Sequence, residues 1–149
     1  MATLNGAVIE WVDSCVYLGV TLVSGKRFGC SVSERIKKFY RCANAIFRIE
    51  GRSSDLVMLR LLESHCVPLI TYAIEIIFIA DQSERRELRV AYNSVFRKIF
   101  SYRRYESVTL LQGQLGRPTW EELVESRVSN FMLRAKSCPS GTLVRTICS

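Results

Sequence analysis

The chain is poor in the residues that chemistry most often requires. It has a single histidine, His65, standing just ahead of Pro68 with no Cys, Asp or Ser partner at catalytic spacing, so a structural imidazole is the better reading. Its six cysteines lie at positions 15, 30, 42, 66, 138 and 148 with no Cys-x-x-Cys pair, which argues against a zinc ligand set. Cys42 falls beside an apolar stripe and Cys66 within an apolar run, so buried free thiols in a reducing compartment are expected rather than bridges. There are three aspartates, Asp13, Asp55 and Asp81, far apart and in turn or cap contexts. Long hydrophobic runs are also wanting: the most apolar stretch, 66–80, is short for a membrane span and contains Pro68, Thr71 and Glu75. The first thirteen residues have no basic start and carry Glu10 and Asp13, unlike a secretory signal. These absences set the expectation of an intracellular protein, cytoplasmic or nuclear, with no membrane partner, no metal site and no cofactor of its own.

What the chain does have is size, apolar content and positive charge. At 149 residues and 48% hydrophobic it is long enough for one domain with a real core, burying about 70% of its unfolded surface. Lys and Arg number 21 against 14 acids, a formal charge of +7, and five of the 21 are Lys. The excess is therefore mostly arginine, whose planar fork donates two parallel hydrogen bonds to a phosphate. Charge alone points to an acidic polymer or an anionic surface as partner.

Asn5-Gly6 is a strong two-residue turn signal, and residues 7–12 and 15–23 read as strands. In the second, Val16, Leu18, Val20 and Leu22 alternate onto one face and leave Tyr17, Gly19 and Thr21 on the other. A glycine in mid-strand marks either a bulge or a place where a ligand backbone comes close. Residues 25–29 close this element, and Ser31-Val32-Ser33-Glu34 has the form of a capping box for the next helix. From 31 to 50 the two faces are sharply divided. Val32, Ile36, Phe39, Tyr40, Ala43, Ile46 and Phe47 share a stripe, while Lys37, Lys38, Arg41 and Arg48 project from the other side. A face built for solubility usually mixes signs, but here the acids Glu34 and Glu50 stand only at the ends, which tilts the reading toward phosphate contact.

A second helix carries Leu56, Leu59, Leu62 and Cys66 and is broken or kinked at Pro68. Residues 68–80 are apolar nearly all round and read as a central buried helix, with a strand possible because of the many Ile. Asp81 and Glu84 can cap a long helix to Phe100 whose core stripe is Leu88, Ala91, Tyr92, Val95 and Ile99, flanked by Arg86, Arg89 and Arg97. Tyr102-Arg103-Arg104-Tyr105 follows, a basic and aromatic interleaving that suits phosphates and bases and equally suits an Arg packed on Tyr at a helix end. A short helix at 107–115 stops at Gly116-Arg117-Pro118, and Thr119-Trp120-Glu121-Glu122 is a further capping box, opening a helix to about Lys136. The cap and the helix dipole account for the acids at that start.

Taken in order, these segments resemble the region just after the catalytic palm in reverse transcriptases of non-LTR retrotransposons, LINE-like and jockey-like. The segments are Val16-Tyr17-Leu18-Gly19-Val20-Thr21-Leu22, Arg35-Ile36-Lys37-Lys38, the run from Ser64-His65-Cys66-Val67-Pro68 to Ala73, the run from Arg89-Val90-Ala91-Tyr92 to Phe100, and Leu115-Gly116-Arg117-Pro118-Thr119-Trp120. The resemblance covers about residues 8 to 135. It implies a primer-grip element at Tyr17, Leu18 and Gly19 facing the primer strand, and a helical thumb whose Lys37, Lys38, Arg41 and Arg48 lie along an RNA/DNA duplex; Arg103 and Arg104 join the candidate contacts through their basic and aromatic interleaving instead. It also implies that the Asp-Asp loop binding two Mg²⁺ ions would lie upstream of residue 1, in a complete parent enzyme or in a palm-containing partner chain.

The resulting expectation is a mainly α protein, an N-terminal β-hairpin followed by a thumb-like bundle of about five helices. Residues 1–25 would end a palm-like domain, 26–136 form the thumb, and 137–149 a flexible tail. The expected function is nucleic-acid binding by a fragment that does not polymerise. The alternatives are a helical protein–protein interaction module and a truncated product without function.

Overall fold

A computed structural model describes residues 2–26, 29–49, 54–80 and 82–138. It is mainly α, with β structure at the N-terminus, as the patterning implies. Strands β1 (Ala2–Leu4) and β2 (Ala7–Ile9) pair antiparallel across Asn5 and Gly6, whose φ values of 50° and 84° make the tight two-residue turn their sequence favours.

The strand expected over 15–23 is instead a second hairpin. β3 (Ser14–Tyr17) and β4 (Val20–Val23) pair Tyr17 with Val20, and Leu18 and Gly19 are the turn between them at φ 46° and 75°. Alternation is reset at the turn: Val20 is buried, whereas Val16 and Leu18 are each 73% exposed. Gly19 is thus explained by backbone geometry, since the second residue of such a turn needs positive φ. Leu18 adopts the same region at a cost of about 1–2 kcal/mol for a residue with a Cβ. A third strand not foreseen, β5 (Gly29–Ser31), adds to β4 and completes the sheet in the order β3-β4-β5.

Helix α1 (Ser33–Ile49) buries Val32, Phe39 and Ala43 of the expected stripe, with Ile36, Tyr40, Ile46 and Phe47 half-buried against the core. Its start is not closed by the local capping box. Ser31 is the last residue of β5, and Glu34 reaches forward to Lys37 Nζ at 2.6 Å. The backbone N–H of Val32 donates instead to Glu84 Oε2 at 2.7 Å, across 52 residues.

Helix α2 (Asp55–Leu61) runs through a π turn (Leu62–Cys66) into α3 (Val67–Thr71). Pro68 therefore neither breaks nor ends the path. Its missing N–H and bulky ring are accommodated by the wider turn just before it. Leu59, Leu62 and Cys66 are buried as expected, while Leu56 is 56% exposed. The single helix expected over 68–80 is divided at Tyr72 and Ala73, where Ala73 takes φ 49°, giving α3 and α4 (Ile74–Ala80). That break swings Tyr72 outward, 54% exposed, while Ile70, Ile74 and Ile77 stay in the core.

Helix α5 (Gln82–Ile99) buries the whole expected stripe and also Phe96; Asp81, expected to cap it, lies outside the described residues. Successive contacts Val32 to Glu84, Tyr40 to Ser94 and Asn44 to Lys98 climb both helices together, so α1 and α5 lie side by side and parallel. Helix α6 (Val108–Gln114) stops at Gly116, φ 62°. Helix α7 (Trp120–Ser137) opens on the predicted capping box: Thr119 Oγ1 accepts from Glu122 N at 3.2 Å, and Thr119 N donates to Glu122 Oε2 at 2.8 Å. Tyr92 packs at tilted angles against both Phe96 and Trp120, joining α5 to α7. Of the expected tail, residues 139–149 lie outside the described residues.

Candidate nucleic-acid interface

Helix α1 carries two surfaces because its apolar residues recur every three or four positions and its cations fill the remaining arc. Lys37, Lys38, Arg41 and Arg48 are all exposed. At about 100° per residue they fall within an arc of roughly 100°, and at about 1.5 Å rise they span roughly 16 Å of helix axis. One strand of a duplex presents a phosphate about every 3.4 Å of axis, so the row is long enough to follow roughly five of them. Glu34 at the first turn pairs with Lys37, and the Lys37 ammonium holds the Glu34 carboxyl below the usual range. Both side chains are over 60% exposed, so this pair is screened by water and leaves Lys37 able to change partner. Arg41, Asn44, Ala45 and Arg48 line a groove of about 380 Å³ on the same face.

The hairpin tip Tyr17-Leu18-Gly19 is held beside the N-terminal end of α1 by Tyr72. Tyr72 Oη donates to the Leu18 carbonyl at 2.9 Å, and a Cβ on Gly19 would sit 3.4 Å from Tyr72 Cε1. Arg35 Nη1 in turn donates to the Tyr72 carbonyl at 2.6 Å, with its guanidinium 5.8 Å from the Tyr72 ring centroid. Burial lowers the Arg35 pKa, and its bond to the Tyr72 carbonyl makes this still-charged arginine a strut. Lys38 lies one turn beyond Arg35 on α1, so the hairpin tip and the cation row adjoin through it. Tyr17 and Leu18 themselves are 65% and 73% exposed.

Arg103 and Arg104 sit in the turn after α5, both exposed. Arg103 Nη1 donates to Tyr105 Oη at 3.0 Å and its backbone N–H to Glu106 Oε2 at 2.7 Å, so the interleaved Arg and Tyr are bound edge to edge. Since α1 and α5 are parallel, this turn leaves α5 at the end where α1 also finishes, the Arg48 end. Two of the three flanking arginines of α5 are engaged elsewhere: Arg89 pairs with Glu121 of α7 at 3.2 Å, and Arg97 donates to the Glu106 carbonyl at 3.3 Å. Arg117 pairs with Glu63 at 3.2 Å.

Tyr72, Arg35, Asn44 and Lys98 were not singled out by residue type. Arg35 and Tyr72 stand in segments whose order is recognisable, but the contact between them follows from the break at Ala73. Lys98 joins the α1 face only through the parallel packing of α5.

A polymerase centre needs carboxylates close enough to share two Mg²⁺ ions about 3.5–4 Å apart. Among the described residues no three His, Cys, Asp or Glu side chains are grouped to hold a metal ion. Nor, among the described residues, is any helix long and apolar enough to cross a membrane.

Over 136 residues, 89% of its length, the chain is 26% identical to a protein of Drosophila melanogaster described as "Probable RNA-directed DNA polymerase from transposon BS". It spans 15% of that protein's length. The match supports a relation to reverse transcriptases. No family model and no solved structure matches the chain.

Proposed function

We propose that this chain is the thumb-like, duplex-gripping portion of a non-LTR retrotransposon reverse transcriptase, and that it holds an RNA/DNA hybrid or duplex through backbone phosphates. The observation that carries the reading is the row of Lys37, Lys38, Arg41 and Arg48, exposed together on one arc of α1. In this reading the hairpin tip at Tyr17, Leu18 and Gly19 meets the primer strand, and Arg103 and Arg104 extend the contact beyond Arg48. Phosphate contact needs no chemistry from the chain. It grips without transferring nucleotides, and any Mg²⁺-dependent step belongs to a palm supplied by a parent enzyme or partner chain. Such work places the protein in the cytoplasm or nucleus.

The test is fluorescence anisotropy with a labelled RNA/DNA hybrid across a salt series. Affinity falls steeply with salt if phosphates are the target, and a flat profile from low to moderate salt refutes the reading. A primer-extension assay on the chain alone gives no incorporation.

A second reading, a module that docks onto another protein, draws on the apolar surface of the N-terminal hairpins. Trp11 is 86% exposed and Val16 73%. Among the described residues, β3 is also an edge strand of its sheet. A salt-insensitive dimer on a sizing column that retains no nucleic acid favours that module instead.

A further inference from the structure

The cationic face of α1 is completed from α5. Lys98 Nζ donates to Asn44 Oδ1 at 2.9 Å and lies 4.4 Å from the ring centroid of Phe47. An ammonium has three donors and no acceptor, so the atom of Asn44 that faces it must be the carbonyl oxygen. The orientation of this amide is therefore settled by chemistry, and its two N–H donors turn away from Lys98. On the α1 wheel Asn44 stands between Phe47, which is packed against the core, and the arc of Arg41 and Arg48. Asn44 also lines, with Arg41, Ala45 and Arg48, the shallow groove of about 380 Å³ on this face, so an amide held by its oxygen has its donors free for a group bound there.

That groove offers two guanidinium forks and an amide NH₂, with the small Ala45 leaving space between them and no carboxylate among the four lining residues. A phosphodiester is the complementary group: its free oxygens only accept, and they carry the charge that guanidinium binds bidentately. The geometry points to a phosphodiester-binding subsite formed by Arg41, Asn44 and Arg48, in which Lys98 acts as a positioning residue by aiming the Asn44 amide. This deepens the duplex-gripping reading and rests on it, adding the group recognised and a second helix that governs it.

A positioning role has its own signature. Arg41 and Arg48 displace counterions from the nucleic acid when they bind, so their loss lowers both affinity and the salt slope. Asn44 is neutral, and its loss lowers affinity alone. Asn44→Ala is expected to weaken hybrid binding about tenfold, the low end for a hydrogen bond to a charged group, with the slope unchanged. Lys98→Met is expected to weaken it at least as much, with some loss of slope for the ammonium removed, and the double variant no further than Lys98→Met alone, because the two act as a unit.

The second arm is an NMR titration of the full chain with inorganic pyrophosphate, following the Asn44 side-chain amide signals. They shift in the wild type and stay still in Lys98→Met. An amide that never moves, or moves equally in both proteins, overturns the subsite. If the hybrid fails to bind while the pyrophosphate shift persists and depends on Lys98, the subsite stands and the duplex reading falls. If the hybrid binds with a steep slope but Asn44→Ala and Lys98→Met both match the wild type, the subsite falls and the duplex reading stands.

Discussion

Replacing Lys37, Lys38 and Arg41 with glutamine removes three of the four cations on the α1 arc while keeping side chains of good helix propensity. If each of the four displaces one counterion, log affinity falls against log salt with a slope of about −3.6 on duplex DNA, so raising salt from about 50 to 200 mM weakens binding roughly 150-fold. With Arg48 alone the slope drops to about −0.9. At about 0.1 M salt the difference amounts to roughly 2.7 decades of affinity, or about 3.7 kcal/mol. The assay is anisotropy of a labelled duplex at four or more salt concentrations, with circular dichroism to show that α1 survives. All three side chains are exposed, so the fold has little reason to respond. Glutamate in place of glutamine adds repulsion and abolishes binding. A triple variant that is well folded yet keeps the wild-type slope shows that the phosphates are held elsewhere, and the α1 arc then has no claim to the interface.

Further outcomes test the frame behind that arc. Gly19→Ala, at φ 75° and with its new Cβ 3.4 Å from Tyr72, lowers stability by about 1–2 kcal/mol, whereas Gly113→Ala, inside α6 with open space around it, raises it by about 0.5–1 kcal/mol; urea midpoints of the two variants move in opposite directions. Phe96→Ala, fully buried beside Tyr92, costs about 3–5 kcal/mol by the same measurement. Thr119→Ala removes the α7 cap and costs about 1 kcal/mol near neutral pH. The Thr119 backbone N–H, and then its hydroxyl, hold the Glu122 carboxyl below its ordinary value, so the contribution of Glu122 is complete above the unfolded carboxylate range and is lost as pH falls through the lower folded value. The stability gap between wild type and Glu122→Gln therefore closes in acid below about pH 4. Native-state alkylation followed by mass spectrometry marks exposed Cys15 and spares Cys66, whose thiol is fully buried and pushed up in pKa by that burial.

The parts legible in the sequence are those governed by local periodicity. The stripe of α1, the stripe of α5 and the capping box at Thr119 each depend on residues three or four apart, and each is found where the pattern puts it. The cation arc was legible for the same reason, since Lys37, Lys38, Arg41 and Arg48 are exposed simply by being out of phase with Phe39 and Ala43. What stayed hidden depends on distant partners. Residues 15–23 alternate like one strand, and Leu18 is an unfavourable choice for a left-handed turn position. The Tyr72 hydroxyl on its carbonyl, 54 residues away, belongs to the packing that holds the turn. Ser31-Val32-Ser33-Glu34 has the form of a local cap, but Ser31 is taken by β5 and Glu84 arrives from α5. The helix over 68–80 breaks at Ala73, a residue with no bias toward breaking, and the break leaves Tyr72 outside, where it meets the hairpin and Arg35. The role of Lys98 depended on the parallel register of α1 and α5, which no window along the chain contains.

The long-range cap on α1 bears on the order of synthesis. Ribosomes deliver the cation-bearing segment well before residue 84 has left the exit tunnel, and until then the first N–H of that segment has water for a partner instead of a carboxylate. Messages cut short upstream of that codon would yield polypeptides holding the same lysines and arginines on a segment whose first N–H lacks that carboxylate.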